Sequence, residues 1–340
     1  MKNRLRSVLL SSLMFITPMV FSSEIDSFHG RFTKLKDSTE ALNIKTNILF
    51  KDAIKNANKK MAKLAERQRR HTNEEAVDIK CSEKILYKSM RRNFRNHYTG
   101  KLNPWIIKSK RIDKVIIPVT ESIYQDFKWF EAYVPGLFAR VFKDPSAMLL
   151  RVGDVLVGND KFEHFLGSGF TYFETHHLEK KSIKEALRIG WKAETGLLGA
   201  NTTGVMAYAD MLANFSGMRF WNHILANDED VMGPEEENNL GPYIACVDQK
   251  WVQVKKMDWS NYIEHGMDEG INCSKFKNQV MTDAVLDRIG LLEYQFSRSY
   301  QCPIRPKELE KAALKYQKYK IYLINTDGHI PVPSDKDFPE

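Results

Sequence analysis

Apolar positions along this 340-residue chain recur mostly at steps of three and four, the spacing that keeps one face of a helix apolar. That period, with no Gly or Pro inside it, predicts a long surface helix over 37–70 and a second over 82–97. It returns over 160–178, over 183–198 with Ser182 and Glu185 spaced as a capping box, and over 206–226. Further helices are expected near 276–296 and 306–319. The pattern breaks at Met148–Val152 and Val155–Gly158, two short apolar runs around Gly153-Asp154, and at Tyr243–Val247 and Trp251–Lys255 around Asp248-Gln249-Lys250. Both breaks predict β-hairpins. The fold class expected is mainly α, a helical bundle-like domain with two short β-hairpins. Prolines at 104, 118, 135 and 145 divide the segment before the first hairpin into short irregular pieces.

The first residues add a targeting signal. Lys2, Arg4 and Arg6 precede an apolar stretch from Val8 to Phe21, and Val20-Phe21-Ser22 suits a signal peptidase. Residues 1–22 are therefore expected to be a signal peptide, followed by an amino-terminal helical arm over 23–100 and a main helical domain over 101–326. Its central block is 158–226, and a loosely ordered tail, 327–340, ends the chain. Every later apolar run is broken by charge before about 18 residues, so no transmembrane helix is expected after signal removal. The localisation implied is periplasmic or extracellular. Cys81, Cys246, Cys273 and Cys302 then meet an oxidising compartment, and their wide spacing excludes CxxC zinc and redox patterns. Two disulfides are expected, in one of three connectivities, with Cys273–Cys302 and Cys81–Cys246 favoured. Of the sequons at Asn201, Asn214 and Asn272, the second lies on a helix that reads as buried.

The formal net charge of +8 falls to +5 without Lys2, Arg4 and Arg6, and the excess lies mainly in the amino-terminal half. The runs Arg67-Gln68-Arg69-Arg70 and Arg91-Arg92-Asn93-Phe94-Arg95 are either solvated helix faces or surfaces for anionic lipid or cell-wall polymer. No nucleic-acid module is present, and neither are HExxH, GxSxG or a phosphate-binding glycine loop.

Candidate chemistry lies in the central block. Asp160 and His164 are four apart and share a helical face with Gly167, Ser168, Thr171 and Thr175. Glu194 interrupts the apolar seam Ile183, Leu187, Gly190, Leu197. Asp210 and Asn214 sit on a helix that is apolar on nearly all sides. Isolated buried carboxylates are too unfavourable to stay unpaired, so these groups are expected to meet, with Gly167 and Gly217 letting the helices approach. Three uses of such a cluster stand open. It is a non-enzymatic centre, either a structural hydrogen-bonded network with Lys161 or Lys192 as counter-charge or a holder of a small ligand; or a divalent-metal site built from His164, Asp160 and Asp210; or a catalytic centre with Glu194 or His164 as general base. The last two combine in a metal-dependent hydrolase acting on an envelope lipid or glycan. His176 and His177 fall in the last turn of a helix, where imidazole meets the dipole favourably. His223 and His265 show no evident partners.

Asp160-Lys161-x-x-His164-Phe165, then Glu194, then Asp210-x-x-Ala213-Asn214-x-x-Gly217 is similar to the pattern of the VanZ-like proteins and the related YfiM-type (DUF2279-like) bacterial envelope proteins. The resemblance covers residues 158–226. It implies a bacterial envelope protein and no particular reaction. VanZ-like relatives are generally membrane-embedded, but Lys161, Glu163, Glu179, Lys180, Lys184, Arg188 and Lys192 make the first two helices of this block too charged for lipid. Tyr243 to Trp251 and Asp268-Glu269-Gly270-Ile271-Asn272-Cys273 resemble segments of secreted bacterial proteins.

Overall fold

A computed structural model describes residues 25–72, 81–94, 100–127, 148–196, 199–333 and 335–339. The expected signal peptide, Pro135, Pro145, Arg95 and Leu197 lie outside the described residues. Helices predominate: α1 (Thr39–Thr72), α2 (Glu83–Phe94), α3 (Leu102–Lys108), α4 (residues 160–178), α5 (Ile183–Thr195), α6 (Tyr208–His223), α7 (Gln279–Phe296), α8 (Pro306–Lys315) and α9 (Lys320–Leu323). Among the described residues, three small antiparallel sheets accompany them. Strands β1 (Lys114–Ile116), β2 (Met148–Val152) and β3 (Val155–Gly158) form the first, β4 (Val205–Met206) with β7 (Lys275–Phe276) the second, and β5 (Ile244–Val247) with β6 (Lys250–Gln253) the third. Both expected hairpins are present. In the second, Asp248 and Gln249 take φ of 46° and 62°, the left-handed pair that a two-residue hairpin turn with right-handed strand twist requires. The β4–β7 ladder joins segments far apart in sequence, which no local pattern announces.

Helix α6 is the axis of the molecule. Each of its residues from Tyr208 to His223 is buried, and it packs against α4, α5, α9 and the turn His265–Met267. Backbones come closest where Gly217 of α6 crosses α4: a methyl group there would lie 1.9 Å from the Phe165 carbonyl oxygen, and one on Gly169 would lie 2.7 Å from Gly217 Cα. The close-approach pair is thus Gly169 with Gly217, rather than Gly167. The reason is a change of helical period. Helix α4 runs as α-helix over Asp160–Glu163 and Gly169–Phe173 but as π-helix over His164–Ser168 and Glu174–Leu178. Each π turn holds an extra residue and rotates the next turn of the helix about its axis. The face that began at Asp160 and His164 therefore does not continue through Thr171, which is exposed.

The long helix of the amino-terminal arm packs into the core. Leu42, Leu49, Phe50 and Ala53 of α1 belong to the same buried cluster as Phe165, Phe220 and Trp259. The tail is docked too: Pro331 bridges to Phe276, and Phe338 stacks on Tyr322 at 5.1 Å and meets the Trp191 ring edge-on. Two disulfides, Cys81–Cys246 and Cys273–Cys302, tie the start of α2 to β5 and the chain after α7 to the 268–273 loop. They close loops of 165 and 29 residues, and by chain entropy each stabilises by about 3–5 kcal/mol. Among the described residues no helix is long and apolar enough to cross a membrane.

Candidate functional site

Two helix starts face one another at the centre of the fold. Asp160 is the first residue of α4 and Asp210 lies in the first turn of α6, where unpaired backbone N–H groups and the helix dipole favour carboxylates. The next residue of α4, Lys161, turns inward and is almost wholly buried. Its ammonium lies 2.7 Å from Asp160 Oδ2, 2.5 Å from Asp210 Oδ1 and 2.5 Å from Glu269 Oε1. Three carboxylates hold the ammonium well above its ordinary pKa against the opposing effect of burial. Lys161 is therefore the counter-charge; Lys192 is exposed on α5 and has no part in it.

His164, one turn further along α4, extends the cluster. Its Nδ1 lies 3.1 Å from Asn214 Oδ1 and its Nε2 lies 3.2 Å from Asp210 Oδ2. Glu194, buried in the last turn of α5, brings a carboxylate oxygen close enough that His164, Glu194 and Asp210 each place one ligand atom within 4.8 Å of the others. Asp160, Asp210 and Glu269 form a second such group, and Asp210 belongs to both. Among the described residues the imidazole is thus completed by Glu194 and Asp210, and Asp160 belongs with the Lys161 side. Tyr172 closes the cluster from beneath, its hydroxyl set against Gly190 of α5 and its ionisation suppressed by burial.

Glu269 is the member that periodicity could not reveal, because it sits in an irregular loop. The Asp268-Glu269 doublet beside a disulfide cysteine was the available signal. That loop is firmly held: Asp268 takes two contacts from the Arg31 guanidinium at 2.5 and 2.6 Å, Ile304 N–H donates to the Gly270 carbonyl, and Cys273–Cys302 spans its end. Burial pushes the Glu269 carboxyl up to about 8; Lys161 opposes the rise, and Asp160 and Asp210 add to it. Burial raises Asp160 as well.

Access is narrow. The side chains of Asp160 and His164 keep 12% and 13% of their surface, whereas Lys161, Asp210 and Glu269 keep 1–4%.

His176, His177, His223 and His265 have their own partners. His177 Nδ1 lies 2.9 Å from Asp228, and His176 faces the Lys181 carbonyl, as ends of a helix would. His223 and His265, which show no partner in the sequence, do have them. His223 lies 2.7 Å from Asp230 and 2.8 Å from the Tyr262 hydroxyl, in a buried group that Arg219 completes. His265 lies 3.1 Å from Asp154.

Compared with protein-family models, with curated proteins and with solved structures, the chain has no match.

Proposed function

We propose that this chain is an exported bacterial envelope protein whose central cluster has two halves. The Lys161 half, with Asp160, Asp210 and Glu269, is a fixed structural centre. The His164–Glu194–Asp210 half binds a divalent metal ion. Two disulfides support a setting in an oxidising compartment, and the likeness of the central block to the VanZ-like and YfiM-type pattern supports a bacterial envelope.

One observation carries the metal reading. With Nδ1–H donated to the Asn214 amide oxygen, His164 Nε2 presents a lone pair to an Asp210 carboxylate oxygen 3.2 Å away. Two lone pairs at that distance repel unless a proton or a metal ion lies between them. The separation also matches that of two ligands on one tetrahedral ion with bonds of about 2.0–2.1 Å, roughly 3.3 Å. An imidazole with two carboxylates is a donor set suited to zinc or manganese, and the Asn214 oxygen would fix the ring tautomer from behind. Charge agrees: Asp160, Asp210 and Glu269 share one ammonium, and Glu194 adds a fourth carboxyl group beside Asp210.

Hydrolysis of an envelope lipid or glycan at the metal is the second reading. It is favoured by the partial exposure of His164 and Asp160, which leaves that end of the cluster open to a small reactant. A bound metal would polarise the scissile group and activate water.

Metal analysis of the purified protein, beside His164→Ala, tests the proposal. One equivalent of zinc or manganese in the parent chain and its loss in the variant is the expected result. Absence of stoichiometric metal from both, after dialysis against each ion, would leave the cluster a structural network only.

A further inference from the structure

Outside the central cluster, α1, α2 and the second half of α4 enclose a groove of about 840 Å³, within the size range of small-molecule sites. Its lining is mixed in chemistry. Lys60 from α1 lies near Lys88 and Arg92 from α2, while Tyr87 packs against Phe170, with Arg91 over that ring and Leu178 also in the lining. The geometry points to this groove as a binding site for a single anionic phospholipid, its phosphate among Lys60, Lys88 and Arg92 and an acyl chain along Tyr87, Phe170 and Leu178.

Charge complementarity supports the phosphate. The Lys60 ammonium makes its hydrogen bond to the neutral Ser89 hydroxyl at 3.3 Å, and Lys60, Lys88 and Arg92 have no carboxylate partner among the described residues. Burial and the nearby charges of Arg92 and Lys88 all disfavour the charged form of Lys60, so the three neighbouring cations repel one another. A phosphate among them would turn that repulsion into attraction. The carboxylates at the rim do not neutralise the set: Glu83 accepts from Asn227, and Glu174 lies on the α4 side.

The apolar side argues for a lipid rather than a soluble anion. Leu178 is 48% exposed at the end of α4, an apolar side chain facing solvent where the groove opens. Behind it, the almost wholly buried Phe170 ring carries the Arg91 guanidinium at 4.1 Å from its centroid, which adds a further cation to the groove. A polymer of phosphate groups would gain from the cations but not from the exposed Leu178.

Calorimetric titration with dihexanoyl phosphatidylglycerol, kept monomeric, tests the assignment. Dihexanoyl phosphatidylcholine and glycerol phosphate should each bind at least roughly tenfold more weakly, since the choline cation of the first offsets its phosphate charge and the second has no acyl chains. Lys88→Glu/Arg92→Glu should lose phosphatidylglycerol binding, and Leu178→Asp should weaken it severalfold; all three residues are exposed, so folding should be unaffected. No binding, equal binding of phosphatidylcholine, or unchanged affinity in these variants would overturn the proposal. Equal affinity for a poly(glycerol phosphate) would overturn it in favour of a cell-wall polymer.

Discussion

Lys161 Nζ lies 2.5 Å from Asp210 Oδ1 across the contact between α4 and α6, with both side chains withdrawn from water. Such a pair adds little net stability over a well-packed apolar substitute, but removing one partner leaves the other charged and unpaired. Here the removal of Lys161 would leave Asp160, Asp210 and Glu269 without their shared partner at once. Lys161→Met should therefore lower the unfolding free energy by about 3–5 kcal/mol. Urea denaturation at constant pH measures this, and a loss below about 1 kcal/mol would show that the acids are neutralised without the ammonium.

Proton linkage gives a second expectation. In the folded chain Glu269 titrates at about 8, above its ordinary 4.5, so between those values the native state holds a proton that the unfolded chain has released. The contribution of Glu269 to stability therefore falls as pH rises from about 5 to 8, whereas His177, His223 and His329, whose imidazoles burial holds below their ordinary values, contribute a rise up to about 6.5. Asp160, also raised, acts in the same direction as Glu269. Unfolding measured at both pH values in chelator should show the fall as a difference between the parent chain and Glu269→Gln. The same pH dependence in the parent chain and in Glu269→Gln would refute the assignment. Because a metal displaces protons, added zinc or manganese should stabilise more strongly at the higher pH.

Asp210 is shared by both halves of the cluster, with Oδ1 toward Lys161 and Oδ2 toward His164. Asp210→Ala should lower stability by about 2–4 kcal/mol, because it leaves buried partners unsatisfied. An unchanged melting temperature would exclude Asp210 from a core network.

Much of this centre was legible in the sequence, for a physical reason. Asp160, His164, Glu194, Asp210 and Asn214 sit at core positions of amphipathic helices, and buried charge must find partners, so their meeting could be expected. What stayed hidden depended on geometry without a period. Glu269 comes from an irregular loop. Lys161 and Lys192 are equally plausible counter-charges until the helix rotation is known. The π turn at His164–Ser168 moved the close-contact glycine from 167 to 169. His223 finds Asp230 only because the loop after α6 folds back over it. The two hairpins, by contrast, were carried by local turn chemistry, and the structure reproduces both.

The Cys273–Cys302 bond closes the segment that presents Glu269. Replacing both cysteines by serine should destabilise by about 3 kcal/mol, less any structure retained in the unfolded chain. Thiol labelling of the non-reduced parent chain should detect no free cysteine. A reactive Cys273 would contradict the pairing.

Two glycines separate packing of the backbone from packing of the cluster. A methyl group on Gly217 would sit 1.9 Å from the Phe165 carbonyl oxygen, and one on Gly190 would sit 1.6 Å from the Tyr172 hydroxyl. Gly190 has the shorter contact, yet Gly217→Ala should be the more damaging change. Its obstacle is main chain within α4, so relief requires the helices to separate along a contact where every neighbour on α6 is buried. The obstacle at Gly190 is the far end of a side chain, which can swing away while the helices stay in place. Overpacking of this kind destabilises by about 1–3 kcal/mol, and Gly217→Ala belongs at or above the upper end. Gly190→Ala should instead retain most of its stability and shift the surroundings of Glu194 and Asn214, where the Tyr172 hydroxyl normally lies. Denaturation curves rank the two variants, and metal titration of Gly190→Ala reports on the cluster. Equal destabilisation by both would show that Tyr172 is held as rigidly as the backbone, making its hydroxyl a fixed part of the site.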